Sequence, residues 1–177
     1  MKHSAWLFFL LLTISLSCSD HTLQPTQPTE YGGENDYIVY EKILQSQFAE
    51  TGYFIIVYDS TLGEVFLDNS QFANLHKNIP EVLEETFTDY LLKRDKKMKL
   101  KSIPNIKSIA FSSEIEVIPN NYVSVQLSNV GYNKSETQAL VTLGVSFSPD
   151  NSKGAVFFLS KDENEWVIKN IYGIWIS

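Results

Sequence analysis

The pattern of apolar and polar positions predicts two helices and a strand in the first half of the folded part of the chain. Residues 36–48 (DYIVYEKILQSQF) repeat apolar side chains at helical spacing, which predicts a first helix. Residues 80–97 (PEVLEETFTDYLLKRDKK) predict a second helix, because an apolar stripe follows Pro80 and acidic residues precede basic ones, as the helix dipole favours. Between them, residues 52–59 (GYFIIVYD) predict a buried strand, whereas residues 60–79 are interpreted as a loop.

Alternation of apolar and polar residues takes over in the second half and predicts a sheet. Turn residues separate four strand-like segments: NYVSVQLSN, TQALVTLGVSF, AVFFLSK and WVIKNIYGIWIS. Short turns between consecutive strands favour antiparallel pairing. The last segment is apolar at both parities, so either it is covered on both faces or Gly173 marks a bulge. The expected fold is α+β, with an antiparallel meander sheet of four to five strands and two helices packed on one face.

The chain begins with a short basic start and an apolar run at residues 5–14 (AWLFFLLLTI). A run of this length suits a secretion signal, whereas a transmembrane helix needs roughly 20 residues. Residues 1–17 are therefore predicted to be a signal peptide. Residues 18–35 contain prolines and glycines and almost no aliphatic side chains, which predicts a flexible tether before a single domain at residues 36–177.

The junction Ser15-Leu16-Ser17-Cys18 resembles the lipobox of bacterial lipoproteins, although Ser15 stands where a large aliphatic residue is usual. The resemblance implies that Cys18 is acylated and becomes the mature N-terminus, so that the domain is exported and anchored in a membrane by acyl chains such as palmitate. Ser19 stands where an aspartate commonly marks inner-membrane retention, which implies the outer membrane. The alternative is a generic secretion signal whose cysteine has no role.

The chain carries a formal net charge of −7 and a single cysteine. The negative charge disfavours nucleic acid and anionic membrane surfaces as partners, unless a basic patch is segregated from the acidic remainder. One cysteine excludes an internal disulfide and a cluster of thiolate metal ligands. The sequence thus predicts no cofactor and no nucleic-acid partner.

The last third of the chain carries a signature that resembles a widespread set of uncharacterised bacterial secreted proteins and lipoproteins. Its parts are Val130-Gly131-Tyr132-Asn133, Thr137 to Val141, Trp166 and the closing Trp175-Ile176-Ser177. Those proteins usually have phenylalanine where this chain has Tyr132, and many have paired cysteines that this chain lacks. The resemblance implies export and a common fold, and it brings no established activity with it.

No motif for catalysis or metal binding stands out. His76, the one histidine of the predicted domain, is interpreted as a surface loop residue, because a single imidazole does not complete a catalytic triad. Asp59, Glu64 and Asp68 lack the spacing of a calcium-binding EF-hand loop. No catalytic residue and no metal ligand is therefore predicted. A carboxylate pair for cleaving sugar polymers meets only in space, so the sequence leaves that possibility open.

A basic stretch at residues 93–101 is one candidate for partner contact. Such a stretch is able to dock anionic lipid headgroups or an acidic partner. The favoured interpretation is structural, because cations at the end of a helix complement its dipole and remain solvated. The residues concerned are Lys93, Arg94, Lys96 and Lys97.

The turn before the second strand segment is the other candidate, through Tyr132 and Asn133. These side chains either contact a ligand or belong to a corner of the fold. In the second and favoured interpretation, Gly131 and Asn133 adopt left-handed backbone and Tyr132 packs inward.

Together these observations favour a lipid-anchored envelope protein whose domain binds another envelope protein or a glycan without catalysis. One alternative is an exported hydrolase of cell-wall or sugar polymers, and another is a protective or immunity-type envelope protein. Two acidic side chains about 5 to 10 Å apart in a deep cleft would favour the hydrolase. A filled sheet concavity without such a pair would favour binding.

Overall fold

The computed structural model describes residues 31–61, 69–93 and 96–176, with residues 69–73 described through their backbone alone. The predicted signal peptide, Cys18 and most of the tether lie outside these residues. The described helices are α1 (Glu34–Phe48), α2 (Asn69–Asn78) and α3 (Glu84–Lys93), with a 3₁₀ turn at Ser112–Glu114. The described strands are β1 (Phe54–Val57), β2 (Ile109–Phe111), β3 (Tyr122–Leu127), β4 (Gly131–Tyr132), β5 (Gln138–Ser148), β6 (Asn151–Asp162) and β7 (Glu165–Ile176). Within these ranges no helix is both long enough and apolar enough to span a bilayer.

The seven described strands form one mixed sheet in the order β2-β1-β3-β5-β6-β7, with β4 paired to β5. The α+β class is confirmed, and β3, β5, β6 and β7 pair antiparallel in chain order, as the short turns predict. The predicted antiparallel meander of four to five strands is wrong for the whole sheet, because β1 lies parallel to both β2 and β3. Parallel pairing requires long crossover connections, and here the connection from β1 to β2 carries α2 and α3.

The helices lie on opposite faces of the sheet, so the predicted packing of two helices on one face is wrong. Helix α1 covers the face that includes Val141 and Phe157. Helices α2 and α3 cover the other face, which includes Leu140 and Phe158. The reason is visible in β5, which is buried at both parities over residues 139–145 and therefore needs cover on both sides.

Helix α2 lies in residues 60–79, where the sequence pattern predicts a loop. Its segment NSQFANLHKN is mostly polar, so it shows little of the apolar periodicity on which helix prediction depends. Leu75 and Ile79 nevertheless pack in the same hydrophobic cluster as Tyr90 of α3. Tertiary packing therefore supports a helix that the local pattern does not indicate.

Helix α3 is shorter than predicted, since it begins at Glu84 rather than at Pro80 and ends at Lys93. The backbone N–H of Leu83 donates to Oε1 of Gln138 at 2.8 Å, which satisfies a donor near the start of the helix. The start of the helix is thus fixed by a residue 55 positions away along the chain.

The described fold begins slightly before the predicted domain boundary at residue 36. Tyr31 forms a bridge with Lys99, and helix α1 starts at Glu34. The N–H of Gly33 donates to Oδ2 of Asp36 at 3.0 Å, which caps the helix. Residues 31–35 therefore belong to the folded part rather than to the tether.

Strand β7 combines both arrangements that its sequence leaves open. Its pairing with β6 skips Lys169 and Ile174, so each is a bulge and the second directly follows Gly173. The strand also contributes to both hydrophobic clusters, with Trp166 on the α1 face and Tyr172 on the α2–α3 face. The bulges shift the alternation of the strand, so apolar residues at both odd and even positions pack against the two hydrophobic clusters.

Candidate functional site

The signature turn forms a corner, which we define as residues 130–138, between helix α3 and strand β5. A Cβ atom on Gly131 would overlap the backbone of Tyr90 in α3, so this position requires glycine for close approach. The predicted left-handed backbone at Gly131 and Asn133 is wrong. That conformation falls on Glu136, with φ of 51°.

Tyr132 packs inward, as the favoured interpretation expects, and connects three elements. Its hydroxyl donates to Oδ1 of Asp36 on α1 at 2.9 Å, and its backbone N–H donates to Oδ2 of Asp89 on α3 at 2.8 Å. Its ring centroid lies 5.8 Å from that of Trp166 on β7. Burial raises the pKa of Tyr132 and also that of Asp36. The phenol therefore remains a hydrogen-bond donor at neutral pH.

Asn133 lies inside the corner, where its side chain is 3% exposed. Its Oδ1 accepts from the N–H groups of Thr137 and Gln138, and its Nδ2 donates to the hydroxyls of Ser135 and Thr137, all at 2.8 Å. Gln138 in turn donates from Nε2 to the carbonyl of Glu81 at 3.0 Å. The signature residues thus join the helices to the sheet, and partner contact by Tyr132 and Asn133 stays a prediction.

The basic stretch divides into a bound and an exposed part. Lys93 lies 2.7 Å from Oδ2 of Asp89, with its Nζ 5.4 Å from the ring centroid of Tyr132. Arg94 lies outside the described residues, whereas Lys96 and Lys97 are exposed at the rim of a cavity of about 470 Å³. Partner contact by these lysines stays a prediction as well.

Four carboxylates gather around a depression of about 670 Å³ between α3 and the corner: Glu84, Glu85, Asp89 and Glu136. The depression is open, because the Glu84 side chain is 78% exposed and Leu92 is 67% exposed. His76 lies on α2 rather than in a loop, and its Nε2 is 3.2 Å from Oε2 of Glu84. This surface lacks the enclosure that the carboxylate pair of a hydrolase needs.

Asp59 stabilises the end of β1 rather than a calcium site. Its carboxylate accepts hydrogen bonds from the hydroxyls of Ser112 at 2.5 Å and Ser113 at 2.6 Å. Burial tends to raise the pKa of Asp59, but these hydrogen bonds outweigh it and lower the pKa. Glu64 and Asp68 lie outside the described residues. Elsewhere in the described chain no group of three or more His, Cys, Asp or Glu side chains could hold a metal ion.

The sequence did not single out a second surface, which lies on the face covered by α2 and α3. Where these helices end, the sheet continues with small and polar residues, and we call this surface the open half. Strand pairing places these residues side by side, since Ser146 pairs with Ser124 on one side and with Ser152 on the other. These serines belong to the lining of a cavity of about 410 Å³. The lining residues are Tyr58, Ser124, Gln126, Gly144, Ser146, Ser152 and Trp175.

Trp175 lies flat against the sheet at the edge of the open half. A Cβ atom on Gly154 would overlap its indole, and a Cβ atom on Gly144 would lie 3.6 Å from Cζ2. Gly144 and Gly154 are paired across β5 and β6, so together they form a seat for the ring. Glycines at the middle of two long strands are the sequence signal that could have indicated this close approach.

Three polar side chains of the open half are available for hydrogen bonds. Within the described chain, the side chains of Ser124, Gln126 and Ser146 make no hydrogen bond to another residue, and Tyr58 is 43% exposed. The lining of the cavity carries no charged side chain. The arrangement offers an aromatic surface, hydroxyls and an amide to a neutral polar ligand.

Comparison of the chain with models of protein families, with curated proteins and with solved structures finds no match in any of the three. The comparisons therefore carry no family, ligand or activity over to this chain.

Proposed function

We propose that the protein is a lipid-anchored component of the bacterial cell envelope whose domain binds a neutral glycan without catalysis. The observation that carries the proposal is the open half of the sheet, where aromatic side chains, hydroxyls and one amide line an uncharged cavity. The anchor is acylated Cys18, and the proposed location is the outer membrane.

The chemistry of the open half matches that of a sugar ring. A pyranose presents an apolar C–H face and a rim of hydroxyls, which are both donors and acceptors. The apolar face stacks on an aromatic ring such as that of Tyr58, which lines the cavity and is 43% exposed. The amide of Gln126 and the hydroxyls of Ser124 and Ser146 supply partners for the rim. An acidic sugar has no cation to pair with in this lining, so a neutral glycan is favoured.

The N-terminal sequence supports the anchor. The lipobox resemblance ends at Cys18, and the described fold begins at Tyr31, so residues 18–30 connect them. Thirteen residues span at most ~45 Å when fully extended. Two or three acyl chains hold a protein stably at a bilayer, where one is marginal. The domain is thus kept close to the membrane and to the glycans on its surface.

Binding of oligosaccharides tests the glycan function. The purified full chain in neutral detergent is titrated calorimetrically with chitohexaose, cellohexaose and maltohexaose, and with polygalacturonate as the acidic counterpart. We expect at least one neutral hexasaccharide to bind with a Kd below 1 mM, and polygalacturonate not to bind. Gln126→Ala should weaken that binding about fivefold, since one hydrogen bond contributes about 1 kcal/mol.

Gln47→Ala is the matched control, because Gln47 lies on α1, which packs on the opposite face of the sheet, and it does not line the cavity of the open half. It should leave the affinity unchanged. Failure of all three neutral hexasaccharides to bind, or equal affinities of the Gln126→Ala and unsubstituted proteins, would contradict the glycan function.

Labelling with radioactive palmitate tests the anchor separately. Replacing Cys18 by Ala should abolish incorporation of the label and release the protein from the membrane fraction, because acyl chains attach to that thiol. Cys18→Ser serves as a second variant that keeps the side-chain size. Undiminished labelling of either variant would contradict acylation at this position.

A further inference from the structure

A second cavity, of about 470 Å³, opens where the tether enters the domain. Tyr31 and Gly32 form one wall, and Lys96 and Lys97 are exposed on the other. Tyr31 is itself 60% exposed. Two exposed cations therefore lie at the opening, and the residues that lead to the proposed lipid anchor also border it. The cavity lies on the corner side of the molecule and does not share a lining residue with the open half.

Asn129 lines this cavity and is only 6% exposed. Its Nδ2 donates to the backbone carbonyls of Lys93 at 2.8 Å and Lys96 at 2.6 Å. Two carbonyl acceptors can be served only by the NH₂ group, so the orientation of the amide is fixed. Its Oδ1 has no hydrogen-bond partner among the described residues. A buried acceptor of this kind requires a donor, and leaving it without one costs about 1–3 kcal/mol.

The carboxylate that also borders the cavity is already used within the protein. Asp36 accepts from the hydroxyl of Tyr132 at 2.9 Å and from the N–H of Gly33 at 3.0 Å. Lys93 is paired with Asp89, whereas no ion pair to a described residue is recorded for Lys96 or Lys97. The groups left for a ligand are two ammonium groups at the rim and the amide oxygen of Asn129, a residue that lines the cavity.

We propose that this cavity holds the headgroup of an anionic membrane phospholipid that carries a free hydroxyl, as phosphatidylglycerol does. Its phosphodiester pairs with Lys96 and Lys97, and its glycerol hydroxyl donates to Oδ1 of Asn129. The membrane is the source of the ligand because the tether from Cys18 starts at the cavity wall and is at most ~45 Å long. The inference depends on the anchor of the proposed function and is independent of glycan binding.

Lipid discs of defined composition test this headgroup site. The full chain purified from membranes is placed in discs of phosphatidylcholine, of phosphatidylcholine with phosphatidylglycerol, or of phosphatidylcholine with phosphatidylmethanol, which has the same phosphodiester charge and no hydroxyl. Hydrogen exchange is followed in peptides that cover residues 31–36 and 96–99. We expect exchange at least threefold slower with phosphatidylglycerol than with phosphatidylcholine alone, and an intermediate rate with phosphatidylmethanol.

Charge-matched variants separate the site from general attraction to an anionic surface. Lys96→Gln with Lys97→Gln should remove the protection. Lys77→Gln with Lys107→Gln changes the net charge equally at two exposed positions elsewhere, and it should retain the protection. Equal exchange in the phosphatidylglycerol and phosphatidylcholine discs, or protection that survives in the first variant, would overturn the site. Equal protection by the two anionic lipids would overturn the hydroxyl contact to Asn129.

Failure of the anchor gives a different result. A chain without acylation is absent from the membrane fraction, and the site is then measured with water-soluble glycerophosphoglycerol on the same two peptides. Slower exchange at millimolar headgroup, lost in the Lys96 and Lys97 variant, would support the site without the anchor. Unchanged exchange would overturn the site itself.

Discussion

The two halves of the α2–α3 face differ although the same strands form both. In the covered half, β5 and β6 present large or fully paired side chains, among them Leu140, Thr142 and Phe158, which α2 and α3 bury. A few residues along the same strands, beyond Gly144 and Gly154, the side chains are serines, and Ser124, Gln126 and Ser146 make no hydrogen bond to another described residue. The side chains therefore change from apolar to polar beyond the residues that pack against α2 and α3.

Among the described residues, the open half therefore carries small and polar side chains where the covered half carries large apolar ones. An uncovered sheet face that carried large apolar residues would be prone to association. Small polar residues avoid that association, and the side chains of Ser124, Gln126 and Ser146 also supply hydrogen-bonding groups for a ligand. Trp175 is the one large aromatic side chain on the strands of the described open half. Its indole packs against Gly144 and Gly154, whose lack of a Cβ atom leaves space for the ring.

Removing packing from the covered half should have the largest effect. Leu140 is fully buried, so Leu140→Ala should lower the free energy of unfolding by about 3 kcal/mol, within the usual range for a buried leucine. Ser146→Ala lies on the same strand and face in the open half and should change it by less than about 0.5 kcal/mol. Urea denaturation measures both. Similar losses in the two variants would remove the distinction between the halves.

The polar groups of the covered half should prove to be coupled, unlike those of the open half. The hydroxyls of Tyr90 and Thr142 share a hydrogen bond in the buried layer. Thr142→Val should therefore cost about 1 kcal/mol. In a double-mutant cycle with Tyr90→Phe, the coupling should exceed about 0.5 kcal/mol. Additive effects of the two substitutions would show that this hydrogen bond does not stabilise the face.

The stability contributed at the end of β1, one residue beyond Tyr58 of the open half, should depend on pH, whereas that of the covered half should not. Hydrogen bonds from Ser112 and Ser113 hold the pKa of Asp59 below its ordinary value of 3.8, so its ionised form stabilises the fold. That contribution is present above pH 3.8 and is lost as the pH falls through the lower folded-state pKa.

Asp59→Asn should accordingly destabilise the protein at pH 7 by less than Thr142→Val does, because the carboxylate is partly solvated. The difference in the free energy of unfolding between Asp59→Asn and the unsubstituted protein should become smaller at pH 3. Leu140→Ala provides the control, since its effect on unfolding should not change with pH. A gap for Asp59→Asn that is constant from pH 7 to pH 3 would contradict the role assigned to its ionised form.

The smallest effect on stability should come from the amide of the open half. Gln126 is half-buried and makes no hydrogen bond to another described side chain, so Gln126→Ala should shift the melting temperature by less than about 2 °C. The same variant should still lose glycan affinity. Calorimetric melting checks the first statement, and a larger drop in Tm would indicate that Gln126 supports the fold instead of a ligand.

The sequence predicts the elements of this fold better than their arrangement. Alternation identifies β3, β5, β6 and β7 and their antiparallel order because neighbouring strands are joined by short turns. The parallel position of β1 depends on a long crossover, and β2 has only three residues, too few for a pattern. Cover on both faces of β5 could have been predicted, because residues 139–145 are apolar or small at both parities. Helix α2 could not, because its sequence is mostly polar.

The candidate sites, like the arrangement of the strands, depend on contacts between residues that are distant in the sequence. The sequence correctly favours an inward Tyr132, but the roles of Gly131 and Asn133 depend on Tyr90 and on hydrogen bonds that only the folded corner creates. The open half combines residues from four strands and becomes visible only through their register. Asn129 likewise has an ordinary sequence context, and its unpaired oxygen is a property of the folded chain.

The most direct test of the central claim maps a bound sugar onto the two halves of the face. The ¹⁵N-labelled full chain in neutral detergent is titrated with whichever of the three neutral hexasaccharides binds most tightly, and amide and indole shifts are recorded. We expect changes at Ser124, Gln126, Ser146 and the Trp175 indole, with little change at Leu140 and Thr142. Shifts confined to the covered half or to the opposite face, or no saturable shift at all, would contradict the claim that the open half binds a glycan.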